Sequence, residues 1–156
     1  METKYTKDMT VSEAAALLAA TLEDAPARLL AIGEAGSQAR PSGMSWSRRQ
    51  ILGHLIDSAS NNHQRFVRAQ FEARMTFPPY AQDEWNAAQG YDDRPWVEIV
   101  EFWRAYNAHL LHVMKRVPQS AHTNTCAISQ SEPETLAALM VDYVGHLRHH
   151  LDQILG

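Results

Sequence analysis

His146 and His150 stand four residues apart near the end of the chain, within a stretch of helical apolar spacing. Two imidazoles at i and i+4 project in the same direction from adjacent turns, so they can ligate one metal ion. The same spacing also arises where two histidines merely sit at the rim of a core, hydrogen-bonded to neighbours. A third histidine, His54, lies on the inner side of another helical segment and brings a site for a divalent metal ion level with that alternative. Three neutral imidazoles leave at least one position on such an ion open to water or a substrate.

Further polar residues fall where a plain bundle would place apolar ones. Ser58, Asn61 and Arg65 share a strip with His54, beside Ile51 and Leu55. Asn107 sits on the apolar stripe between Trp103 and Met114. Burying an unpaired amide or imidazole costs about 1–3 kcal/mol, so polar groups converging from three helices suggest a lined pocket. Asn107, Asn61 and Arg65 are accordingly the candidate catalytic residues, placed to orient a second substrate or to stabilise developing negative charge. No nucleophilic serine or cysteine motif is evident, which leaves the metal to carry any chemistry.

The remaining histidines read differently. His149 lies 60–100° from its two neighbours around the helix and is a rim residue or a support for the ligands. His63 is nine positions after His54 and is expected in solvent, while His109 and His112 point away from their helix's stripe. His122 and Cys126 fall in a loop, with Cys126 kept open as a fourth ligand.

Four helical segments must position these groups. The first spans 10–32, with Val11, Ala14, Leu18, Leu22 and Leu29 inward, and Pro26 predicts a kink or break near Asp24. The second starts after Ser45-Trp46-Ser47, capped by either serine, and runs to about Arg74. The third runs from Pro95 to Val117, with Trp96, Ile99, Trp103, Leu110 and Met114 on one stripe, and Pro118 ends it. The fourth starts near Pro133 and reaches Leu155 along Leu136, Met140, Tyr143, Leu147, Leu151 and Ile154. No segment shows convincing strand alternation. The pattern is that of an all-α four-helix bundle forming one domain over 1–156.

Residues 75–95, with Pro78, Pro79 and Gly90, make an unusually long connection between the second and third helices. At 1.5 Å per residue, His54 lies about 10 Å into its helix, and His146 and His150 about 20–25 Å into theirs. One common level is reached most easily if these helices are antiparallel. If the fourth helix also opposes the third, the second and third are parallel and need a long crossover. Tyr80, Asp83 and Trp85 in that crossover are candidates for a lid, or equally for a small satellite core.

The formal net charge of −4, without any run of lysine or arginine, lacks the basic footprint of a nucleic-acid binder. No apolar stretch approaches the roughly 20 residues that span a bilayer. The polar N-terminus and the single cysteine fit a reducing, cytoplasmic setting without a signal peptide.

Two motifs carry a family resemblance. Trp46-Ser47-Arg48-Arg49-Gln50-Ile51-Leu52-Gly53-His54-Leu55-Ile56-Asp57-Ser58 resembles the W-S-x-x-E-x-x-x-H-L-x-D-S signature of the DinB/YfiT-like superfamily. The tail Asp142-Tyr143-Val144-Gly145-His146-Leu147-Arg148-His149-His150-Leu151-Asp152-Gln153-Ile154 is similar to that family's terminal H-x-x-H-H-x-x-Q-I helix. The resemblance implies a four-helix bundle with an unusual connection between helices two and three. It further implies a nickel, zinc or similar ion on His54, His146 and His150, and a homodimer. Gln50 departs from the pattern, standing where many members have glutamate, at a position that is not a ligand. The implied activity is that of a metal-dependent thiol S-transferase or hydrolase acting on a small molecule, with a low-molecular-weight thiol as co-substrate. The alternative is a metal-binding or stress-associated dimeric bundle in which the ion only stabilises the fold.

Overall fold

Thr10 opens the first helix by satisfying donors that a helix start leaves bare. Its Oγ1 accepts from the Glu13 amide at 3.2 Å, and Glu13 Oε2 accepts from the Thr10 amide at 2.8 Å. Helix α1 (Val11–Ser37) follows. The computed structural model describes residues 4–6 and 8–156. The break expected at Pro26 is absent. The helix runs through it, held by Ala25 and Leu29, which are buried against the neighbouring helices. Its kink falls instead at Gly33, whose φ of 71° suits a residue without Cβ.

Helix α2 (Arg48–Arg68) is capped by Ser47 rather than Ser45. Gln50 closes that cap by accepting from the Ser47 amide at 2.9 Å, while its Nε2 donates to Asp92 at 3.0 Å. An amide can do both; a glutamate would meet Asp92 with like charge. The helix ends six residues short of Arg74, because residues 74–77 form strand β1 (Arg74–Phe77). The crossover is also structured, holding helix α3 (Gln82–Gln89) and a 3-10 turn, Tyr91–Asp93. Helix α4 (Trp96–Arg116) begins right after Pro95. Strands β2 (Thr125–Ile128) and β3 (Glu134–Thr135) precede helix α5 (Leu136–Leu155), capped by Thr135 and so starting slightly later than Pro133.

The strands form one small sheet in the order β1-β2-β3, with β1 and β2 parallel and β2 and β3 antiparallel. The all-α bundle stands, with this sheet as a minor addition that the sequence did not show. Strands of two to four residues are too short to show alternation, and β1 is held by a partner some 50 residues away.

The sheet gathers the C-terminal ends of α2 and α4 with the N-terminal end of α5. At the opposite end Arg48 Nε donates to the Ile154 carbonyl at 3.0 Å, and the Trp96 amide donates to Glu34 Oε2 at 2.7 Å. Helices α2 and α4 are therefore parallel, with α1 and α5 running against them. Each of α1 and α2 packs on both α4 and α5, so α1 sits across the diagonal from α2, and α4 from α5. Trp96, Trp103, Phe66, Leu18, Leu29 and Leu110 fill the centre. No helix among the described residues is long and apolar enough to cross a membrane.

Candidate metal centre

Antiparallel α2 and α5 bring His54, near the start of one, level with His146 and His150, near the end of the other. One ring nitrogen from each lies within 4.8 Å of the other two. His54 Nε2 faces His146 Nε2 at 3.2 Å. Two nitrogens bound to one tetrahedral ion at 2.0–2.1 Å are separated by about 3.3 Å, so this spacing suits a shared cation. The ring centroids of His54, His146 and His150 lie 4.5–5.1 Å apart. Trp46 closes one side, 5.1 Å from the His54 ring.

The electrostatics match a set of neutral ligands. Burial, reinforced by His150, pushes His54 down to about 4. Burial and the crowd of neighbouring imidazoles push His146 down to about 3. Burial also lowers His150, against the opposing effect of the hydrogen bond it donates to Gln153. All three rings are thus unprotonated at neutral pH, the state in which imidazole binds metal. His150 Nδ1 donates to Gln153 Oε1 at 2.6 Å, which fixes its proton there and leaves Nε2 bare. His54 Nδ1 is buried and has no hydrogen-bond partner.

Beside His146 opens a cavity of about 380 Å³, walled by Ser58, Asn62, Arg65, Tyr80 and Tyr143, by Gln82 and the carboxylates of Glu134 and Asp142, and by apolar side chains. The crossover supplies Tyr80, whose hydroxyl burial pushes up to about 12. A larger groove of about 870 Å³ lies between residues 8–12 and the turn after α4, and contains none of the three histidines.

The candidate residues separate on this map. Arg65 lines the cavity, and beside it stands Asn62 rather than Asn61; both amides turn back along α2, Asn61 to the Asp57 carbonyl and Asn62 to the Ser58 carbonyl, each at 2.9 Å. Asn107 is fully buried beneath the wall, accepting from Tyr143 Oη at 2.5 Å and donating to the Trp103 carbonyl at 2.9 Å. Tyr80 packs on Trp85 at 5.1 Å, while Asp83 is exposed. His63 is half-buried rather than in solvent, its Nδ1 3.1 Å from Tyr106 Oη. His109, His112 and His149 are exposed, and Cys126 is buried in β2, outside the histidine cluster.

Gln153 and Asp57 stand in the two quoted motifs, but sequence reasoning assigned them no role. Gln153 lies three residues after His150, a spacing that brings side chains together on a helix. Asp57 is buried on α2 and accepts from Tyr91 Oη at 2.7 Å and from Gln89 at 2.9 Å, tying the crossover to the helix that carries His54. Gly53 allows this approach, because a Cβ there would collide with the Tyr91 ring.

The fold and the cluster define a class: a four-helix bundle with a crossover and three convergent histidines at one end. The chain belongs to the DinB superfamily, whose family model matches residues 10–154. It is 26% identical over 110 residues to a protein of Bacillus mycoides (strain KBAB4) provisionally named a metal-dependent hydrolase. That match takes in 70% of this chain but 62% of the relative's length. Among solved structures it is similar to YfiT from Bacillus subtilis, described as a probable metal-dependent hydrolase with an unusual four-helix bundle topology. The TM-score is 0.79 at 19% identity, over 95% of this chain and 87% of YfiT. A mycothiol-dependent maleylpyruvate isomerase superposes with a TM-score of 0.76 at 13% identity, over 99% of this chain and 63% of the isomerase.

Proposed function

We propose that His54, His146 and His150 hold a divalent ion, nickel or zinc, in an enzyme of the thiol S-transferase or hydrolase type. The observation that carries this reading is the cluster itself: three neutral imidazoles with ligand atoms within 4.8 Å, next to a cavity. A divalent ion held there would supply Lewis acidity, lowering the pKa of a water or a substrate thiol towards neutrality. The protein's own part is positioning. Gln153 sets the His150 tautomer, and Trp46 packs on the His54 ring, excluding water from that side. Arg65 offers donors to the second substrate from the cavity wall, and Asn107 acts on it through Tyr143. The names of the relatives, with their metal-dependent hydrolysis and thiol-dependent isomerisation, support a small-molecule substrate. We further read the working form as a homodimer.

The test is spectroscopic. Protein loaded with cobalt and titrated with a small thiol should develop a sulfur-to-metal charge-transfer band, since thiolate is a soft ligand for such ions. No spectral change at any thiol concentration would indicate a closed site and overturn the enzymatic reading. Stoichiometric metal retained by His54→Ala protein would overturn the ligand set.

A further inference from the structure

Arg65 is 7% exposed, yet among the described residues its guanidinium makes no ion pair. Its side-chain contact is one long hydrogen bond, 3.4 Å to Asn62 Oδ1. Glu134 and Asp142 also line the cavity, but neither pairs with it. A buried charge without a counter-ion is expensive, and buried arginines are ordinarily matched to a carboxylate or phosphate. The guanidinium cannot relieve that cost by losing its proton near neutral pH. Four of its five N–H donors thus remain for something that enters the cavity.

The surroundings narrow the choice of anion. The cavity is also lined by Pro79, Ile128 and Leu139, with the rings of Tyr80 and Tyr143 beside them. A bare inorganic ion leaves those apolar surfaces uncovered, whereas an organic acid covers them and presents a planar carboxylate to the planar guanidinium. Position along α2 gives the length. Arg65 follows His54 by eleven residues, about 16 Å along the axis, and helical side chains lean back towards the N-terminus. The charged head therefore lies on the order of 10 Å from the histidines, within reach of one small substrate.

We propose that Arg65 is the anion-binding residue of this cavity and that the substrate carries a carboxylate on a partly apolar body, a few bonds removed from the reacting group. This rests on the reading of the cavity as the substrate side of the three-histidine centre. Ser58 and Asn62 flank the bound carboxylate, and His146 marks the end of the cavity where the reacting group lies.

Calorimetric titration of the full chain with hexanoate and its uncharged isostere hexanamide tests the assignment. Metal-free protein should bind hexanoate at least tenfold more tightly than hexanamide. Arg65→Gln should abolish the preference, and Arg65→Lys, which keeps the charge but loses the planar fork, should retain part of it. Inorganic phosphate should displace hexanoate only at concentrations at least ten times higher. Equal affinity for acid and amide, no binding of hexanoate, or a preference that survives Arg65→Gln would overturn the proposal. Equal potency of phosphate would overturn the organic acid. Should Arg65→Gln fail to fold, a full preference in Arg65→Lys overturns the proposal and a reduced one supports it. The zinc-loaded protein supplies the remaining distinction. Hexanoate binding that requires zinc and vanishes in His54→Ala would place the carboxylate on the ion and overturn the role of Arg65. Stoichiometric metal retained by His54→Ala protein, with the hexanoate preference intact, would overturn the metal reading alone.

Discussion

Gln153 Oε1 holds the Nδ1 proton of His150 at 2.6 Å, so the nitrogen that His150 offers to the cluster is Nε2. The same amide donates from Nε2 to His149 at 3.2 Å, which fixes its own orientation. Such outer partners set ligand direction and basicity, and their loss costs about 10–100-fold in metal affinity. Gln153→Ala should therefore weaken zinc binding by that factor in a competitive chelator titration. Helix content should be unchanged, since Gln153 is only half-buried. An affinity within twofold of the parent would show that the ring is oriented by packing alone.

His54→Ala, His146→Ala and His150→Ala should each lose tight metal binding, whereas His63→Ala should keep it. The contrast is sharp because His63 is engaged elsewhere, with Tyr106 Oη at 3.1 Å and the His109 ring at 5.1 Å. Metal content after purification without a histidine tag is the measurement. His63→Ala should instead show a small loss of stability, about 1 kcal/mol, from its broken hydrogen bond.

Acid should destabilise the metal-free protein. In the unfolded chain a histidine takes up its proton near pH 6.5, whereas folded His54 and His146 do so only near 4 and 3. Between those values the unfolded state binds more protons, so stability is greatest above about pH 6.5 and falls as the pH drops. The loss is complete once the pH is below the folded values. Denaturant midpoints at pH 7, 6, 5 and 4 should decline steadily, and His54→Ala should flatten the slope. Bound metal is lost in the same direction, because protons compete for the same nitrogens.

Gly53→Ala tests how the crossover docks. A methyl group there collides with the Tyr91 ring, which is buried and tied to Asp57. Overpacking of this kind costs about 1–3 kcal/mol, visible as a lower melting temperature. His54 is the next residue on the same helix, so a drop in metal affinity should accompany it. Gly53→Ala protein with unaltered stability would mean that the Tyr91 contact is loose.

The four helices were legible because each carries enough turns for its apolar stripe to repeat, as Trp96, Trp103, Leu110 and Met114 do along α4. The histidine triad was legible for the same reason, since period and helix direction together fix level and facing. What escaped was set by distant partners. Residues 74–77 look like a helix end until their parallel pairing with residues 125–128 is known. The kink passed from Pro26 to Gly33 because tertiary burial outweighed one missing backbone hydrogen bond. Asn61 lies within about 20° of His54 around α2 and so is the better candidate on spacing alone, but the crossover places the cavity wall on the side of Asn62.

Asn107 allows the last distinction, between a residue that orients a substrate and one that supports the wall. It lies under Tyr143 and accepts the hydroxyl at 2.5 Å in a fully buried position. Tyr143 in turn lines the cavity. Asn107→Leu strands the Tyr143 hydroxyl without an acceptor and should cost about 1–3 kcal/mol. Removing both polar partners together is far cheaper, so the double variant Asn107→Leu/Tyr143→Phe should regain most of that stability. The thiol-induced cobalt band should persist in both variants, because neither residue belongs to the histidine cluster. If Asn107 serves the substrate through Tyr143, any transfer reaction will stay impaired in the double variant although its stability has returned. Turnover that recovers together with stability would show Asn107 to be a packing residue only.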